Sequence, residues 1–264
     1  HPIVGYFAGP IYDTTAEVGA PYLLHRLWWL GALPLFLAPW LSVRRRWRFI
    51  GLAWLFVGFS LKSTLWVDPG RSAIMNQLSQ SHAGQYVVVH ADPDGYSEED
   101  LRQLVRVMDF HVSDLSYWLG GDLPPQMIHA LVFKNSEQKR QLMGAGRTEV
   151  AKPWLNEIYV AGIRPGDSVI RHELAHVLAG DLASGPMEVP AKFVFFPNMV
   201  LVEGLATAAT WESGALTPHG WSARMEALSI RPRIRDLLGP VGFWKAHGPL
   251  AYTVSASFIE WYRS

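Results

Sequence analysis

The chain has 264 residues, with 23 Lys and Arg against 23 Asp and Glu, so its formal net charge is zero. That balance excludes the broad basic field of a nucleic-acid binder and the acidic excess of a solvating tail. Cysteine is absent, which excludes a disulfide scaffold, a thiolate metal site, a catalytic Cys and an iron–sulfur cluster.

Charge is distributed unevenly. Residues 1–66 carry six basic side chains and two acidic ones, leaving 17 basic against 21 acidic in 67–264. Two apolar runs, 27–43 and 49–61, flank Arg44, Arg45, Arg46, Trp47 and Arg48. A spanning helix needs about 20 mostly apolar residues, and a basic cluster marks the cytoplasmic side of a membrane. The pattern predicts three parts: an N-terminal segment at 1–21, a two-helix transmembrane hairpin at 22–66 seated in a lipid bilayer, and a main domain at 67–264 lying outside the cytoplasm.

In the main part, 85–91 (QYVVVHA) is apolar and β-branched, a strand by composition. Ser97 followed by Glu98, Glu99 and Asp100 marks a helix start. That helix runs to Leu119 and stops at Gly120 and Gly121. A strand at 127–133, a short helix at 137–142 and a strand at 156–161 follow. Asp167 or Ser168 caps a helix through Ala179, with Gly180 as its stop, and helices at 198–211 and 250–262 complete the chain. Strands come first and helices dominate later, which predicts an α+β fold.

The helix after Asp167 contains His172-Glu173-Leu174-Ala175-His176. Residues four apart lie on one helical face about one turn from each other. Both imidazoles can therefore reach one zinc ion, with Glu173 beside them to take a proton from a metal-bound water. A catalytic zinc usually has a third protein ligand. The short-spaced form fails, because Ala179 and Leu182 stand where Gly and the third His belong. Glu203 is the strongest candidate, an acid among Met199, Val200, Leu201, Val202 and Leu205 that needs a partner for its charge. Asp181, Glu188, Glu212 and His219 are its rivals, and Asp181 is placed to orient a ligand histidine instead.

A strand, an HExxH helix and then a helix bearing Glu203-Gly204-Leu205-Ala206 resemble the gluzincin metallopeptidases, the clan of thermolysin and the aminopeptidase-N group. The likeness is closest to the bacterial peptidase MA-like domains, whose last helix is similar to Tyr252-Thr253-Val254-Ser255-Ala256-Ser257-Phe258-Ile259-Glu260-Trp261. It covers roughly 85–264. Two features depart from the clan: 26 residues separate His176 from Glu203, and Thr207 stands where an acid often follows the ligand Glu.

The resemblance implies a zincin-like domain that hydrolyses peptide bonds in a peptide or protein substrate. One Zn2+ per chain would be held by His172, His176 and Glu203, with Glu173 as base. It implies Tyr252 as the oxyanion donor, with His247 and His219 as alternatives. It also implies that the strand Glu157, Ile158, Tyr159, Val160, Ala161 is an edge pairing with the substrate backbone. With the predicted hairpin, the expectation is a peptidase anchored in a bacterial inner membrane. The alternative is an anchored zinc-binding assembly module with little turnover.

Overall fold

A computed structural model describes residues 45–61, 70–183, 186–192, 196–211, 216–239 and 241–264, together with Leu23, Leu27 and Leu30. These fall into two compact units. One comprises Leu78–Arg140 and Ala145–Ser264, and the other draws its described residues from Thr15–Gln77 and Gln141–Gly144.

The larger unit is α+β, and a five-stranded mixed sheet organises it. β1 (Gln80–Ala83), β2 (Val87–Ala91), β3 (Ile128–Phe133), β4 (Val150–Lys152) and β5 (Glu157–Ala161) lie in the order β1-β2-β3-β5-β4. The central three are parallel, and the two outer strands are antiparallel to their neighbours. In β2, Val87, Val89 and Ala91 are buried while Val88 and His90 are half-buried, the alternation expected of a strand with one face in the main core.

Helix numbering begins with two helices of the smaller unit, α1 (Arg45–Leu61) and α2 (Gly70–Gln77). In the larger unit, α3 (Glu98–Leu119) covers the core face of the sheet. Its buried residues Leu101, Leu104, Val105, Met108, Val112 and Leu115 recur at helical spacing. Its start is a capping box: Ser97 Oγ accepts from the Asp100 amide at 3.1 Å, and Asp100 Oδ2 accepts from the Ser97 amide at 2.8 Å. Gly120 ends it in the left-handed region at φ 70°. Tyr96 ties the sheet to the loop after β5, its hydroxyl donating to the carbonyls of Ile163 at 3.2 Å and Phe133 at 3.4 Å.

After α4 (Ser136–Met143), α5 (Ser168–Leu178) packs beside α3 and buries Ile170, Leu174 and Val177 in the same core. Then come the two-residue strands β6 (Ala191–Lys192) and β7 (Phe196–Pro197), α6 (Met199–Ala209), α7 (Pro218–Ala227), α8 (Ile234–Leu237), α9 (Gly242–Lys245) and α10 (Gly248–Arg263). Val200 clusters with Ala251 and Val254, and Ala208 with Ala256 and Ile259, so α6 and α10 lie side by side running the same way.

The smaller unit corrects the membrane expectation. Arg45, Arg46 and Arg48, assigned to a cytoplasmic loop, are in the opening turn of α1. The apolar remainder, 49–61, extends roughly 20 Å at 1.5 Å per residue, well short of a hydrocarbon core of about 30 Å. Among the described residues, no helix is long and apolar enough to cross a membrane. The transmembrane hairpin at 22–66, through which the chain was expected to sit in a lipid bilayer, and the membrane localisation are therefore corrected, and with them the charge argument for an extracytoplasmic domain. Apart from Leu27 and Leu30, the first apolar run lies outside the described residues.

Candidate metal centre

α5 owes its two faces to the spacing of its side chains. Ile170, Leu174, Ala175, Val177 and Leu178 are buried. His172 and His176 emerge on another side, their side chains 23% and 12% exposed. Arg171 fixes this helix between two others: its Nη1 lies 2.6 Å from Asp114 Oδ2 on α3, and its Nε donates to the Ala209 carbonyl at the end of α6 at 3.0 Å. A cation at a helix C-terminus also meets the negative end of the helix dipole.

That anchoring brings α6 to α5 at the histidines. His172 Nε2 and His176 Nε2 are 3.2 Å apart. Glu203 Oε2 lies 3.3 Å from the first and 3.6 Å from the second. The imidazole rings meet edge to face at 87°. The ligand atoms of His172, Glu173 and His176 also fall within 4.8 Å of one another, a group that could hold a metal ion. The triangle that Glu203 closes with the two imidazoles is tighter than that group, and Glu173 lies beside it.

The two carboxyls differ in environment. Glu173 is only 6% exposed, and burial pushes its carboxyl up to about 7, with the charge of Glu203 adding to the effect and His172 opposing it. Burial also raises the Glu203 carboxyl, but His176 and His172 outweigh it and hold the group below the ordinary carboxylate range.

All four residues line a cavity of about 1000 Å³. Tyr252 on α10 lines it too, its ring tilted against Phe243 with centroids 5.3 Å apart. So does Thr207, one turn beyond Glu203, whose buried Oγ1 has no hydrogen-bond partner among the described residues.

Several expected positions differ. β5 is not an edge strand, because β4 pairs antiparallel with it, Val150 opposite Tyr159 and Lys152 opposite Glu157. Glu157 and Tyr159 are buried, with the Tyr159 hydroxyl donating to the Glu157 carboxylate. Glu157, Tyr159 and Ala161 do not line the cavity. Thr148, Glu149, Val150 and Ala151 do. Asp181 is exposed in the turn after α5 and hydrogen-bonds neither histidine, so it does not orient them. Glu188 lines the cavity without joining the metal group. Exposed His247 precedes α10. His219 lies with Ser257 and Glu260, its Nδ1 2.8 Å from Ser257 Oγ. Glu212 lies outside the described residues.

Sequence reasoning missed Arg171 and β4. Arg171 precedes the motif and resembles any helix-surface arginine. β4 has three residues, too few to show a period. Comparison of the chain with protein-family models, curated proteins and solved structures gives no match.

Proposed function

We propose that the chain is a zinc metallopeptidase of gluzincin type, with one Zn2+ held by His172, His176 and Glu203. The observation that carries this reading is the donor triangle of 3.2, 3.3 and 3.6 Å. Zinc binds nitrogen and oxygen ligands at about 2.0–2.2 Å in a tetrahedron, whose edges are then about 3.3–3.6 Å. The donors are thus already spaced for such an ion. An absent thiolate is no obstacle, since imidazole and carboxylate suffice.

When bound, zinc supplies a Lewis acid that polarises a carbonyl and makes water acidic near neutral pH. The chain's own groups do the rest. Glu173 lines the cavity beside the proposed ligands, within reach of a water there, which is the geometry a general base needs. Glu173 accepts the proton of the attacking water and delivers it to the departing amine nitrogen. The carbonyl carbon gains the hydroxyl as the C–N bond breaks. Tyr252, in the same cavity, donates a hydrogen bond to the oxyanion. The substrate backbone pairs along the outer edge of β4, where no further strand lies among the described residues.

The test is metal analysis after exposure to equimolar zinc and gel filtration. The wild-type chain should retain about one zinc, the stoichiometry of a three-residue site. His172→Ala, His176→Ala and Glu203→Ala should each lose it. Retention by Glu203→Ala would move the third ligand elsewhere, and no retention by the wild type would remove the metal reading.

A further inference from the structure

The cavity is much longer than the metal group, and its far end has a different chemistry. Its wall along α10 runs from Tyr252 to Arg263. Eleven residue steps of helix extend roughly 16 Å, and an extended peptide rises about 3.3 Å per residue. The wall therefore matches about five substrate residues.

The position of the metal group along this wall follows from α6. Gly204, next to Glu203, lies against Ser255 of α10. Ile259 and Tyr262 are four and seven residues further on, roughly 6–10 Å along the helix, or two to three residues of an extended chain. There the lining turns apolar. Trp118 and Leu119 from the end of α3 line the cavity together with Leu205, Ile259 and Tyr262, and Trp118 packs in one cluster with Leu205 and Ile259. Arg263 holds the indole in place, its guanidinium 3.6 Å over the ring and its Nη2 donating to the Trp118 carbonyl at 2.6 Å. Tyr262, 77% exposed, stands at the mouth.

Resting on the peptidase reading above, we infer that the site is an endopeptidase cleft taking an extended polypeptide of about five residues, with a bulky apolar side chain seated on Trp118 two to three residues from the cleaved bond. A wall of that length suits an internal segment of a chain better than a dipeptide. This end presents Trp118, Leu119, Leu205, Ile259 and Tyr262 with the Arg263 guanidinium over the indole, an apolar surface beside a cation that disfavours a basic side chain.

The experiment separates this inference from the reaction itself. Zinc-loaded Glu173→Gln protein is titrated by fluorescence anisotropy with labelled octapeptides blocked at both ends. Their central residues are flanked by Phe, Leu, Ala or Lys two and three positions away. Phe and Leu peptides should bind about tenfold tighter than Ala or Lys peptides, the discrimination one apolar pocket gives. In Trp118→Ala with Tyr262→Ala, that preference should vanish while zinc content and binding of the Ala peptide stay unchanged. Equal affinity for all four peptides, or no measurable binding, overturns the inference, as does a preference for short peptides with free termini. Selective binding by Glu173→Gln with no cleavage by the wild type supports the cleft and removes the peptidase reading. Cleavage without selectivity does the reverse.

Discussion

Gly204 lies so close to Ser255 that a Cβ at position 204 would stand 2.9 Å from the Ser255 backbone. No side chain fits there, so α6 rests directly on α10. The adjacent residue is Glu203, and this contact sets how far its carboxylate reaches toward α5. Gly204→Ala must push α6 away from α10, at a cost of about 1–3 kcal/mol, as for other overpacked positions. It should lower the melting temperature of the metal-free chain and weaken zinc binding together. Calorimetric melting and a zinc titration would show this, and unchanged zinc affinity would mean that Glu203 is held by some other contact.

Arg171 does comparable work from the other side. Replacing it by Met removes the bond to Asp114 and the one to the Ala209 carbonyl. The loss should be about 1–3 kcal/mol, since each bond involves a charged group. Lys keeps the charge but not the fork that reaches two helices, so Arg171→Lys should recover only part of it. Urea unfolding of the two variants checks the order.

Tyr96 gives a pH signature remote from the centre. Burial pushes its hydroxyl up to about 12, and the bond to the Ile163 carbonyl only partly offsets this. The fold thus favours the neutral phenol. Its contribution is complete below pH 10, the unfolded value, and is lost as pH rises through 12. The change is on the order of 1–3 kcal/mol, from about two units at 1.4 kcal/mol each. Tyr96→Phe should be less stable than wild type at pH 8 yet lose less between pH 10 and 12. Equal slopes in denaturant melts across that range would contradict the assignment.

Tyr252→Phe should keep its zinc and lower peptide turnover by about 10²–10³-fold, the effect of losing one oxyanion donor. Normal turnover would reduce the Tyr252 ring to a packing partner of Phe243.

The sequence exposes what repeats or is capped. Ser97 and Asp100 announce α3 and Gly120 ends it, because caps are local chemistry. The HExxH spacing places two imidazoles on one helical face before any tertiary information exists. Glu203 stands out because an acid in an apolar helix needs a partner. What the sequence hides depends on neighbours. β5 reads as an edge only until β4 pairs with it, and three residues carry no period. Asp181 is near the histidines in sequence, but the turn after α5 leaves it exposed. The arginines beside 49–61 look like a loop between spanning helices, yet arginine is a good helix former, and α1 begins among them. The aromatic end of the cavity joins residues 118, 205, 259 and 262, which only the packing of three helices brings together.

In the proposed reaction Glu173 carries the proton of a zinc-dependent peptide hydrolysis. The most direct measurement follows cleavage of a quenched fluorescent octapeptide by wild type and Glu173→Gln, with zinc content determined on the same samples. Wild type should cleave, and Glu173→Gln should hold the same zinc while losing at least about 10²-fold in rate, the scale of one general base. Equal cleavage by both proteins at equal zinc content would contradict the account.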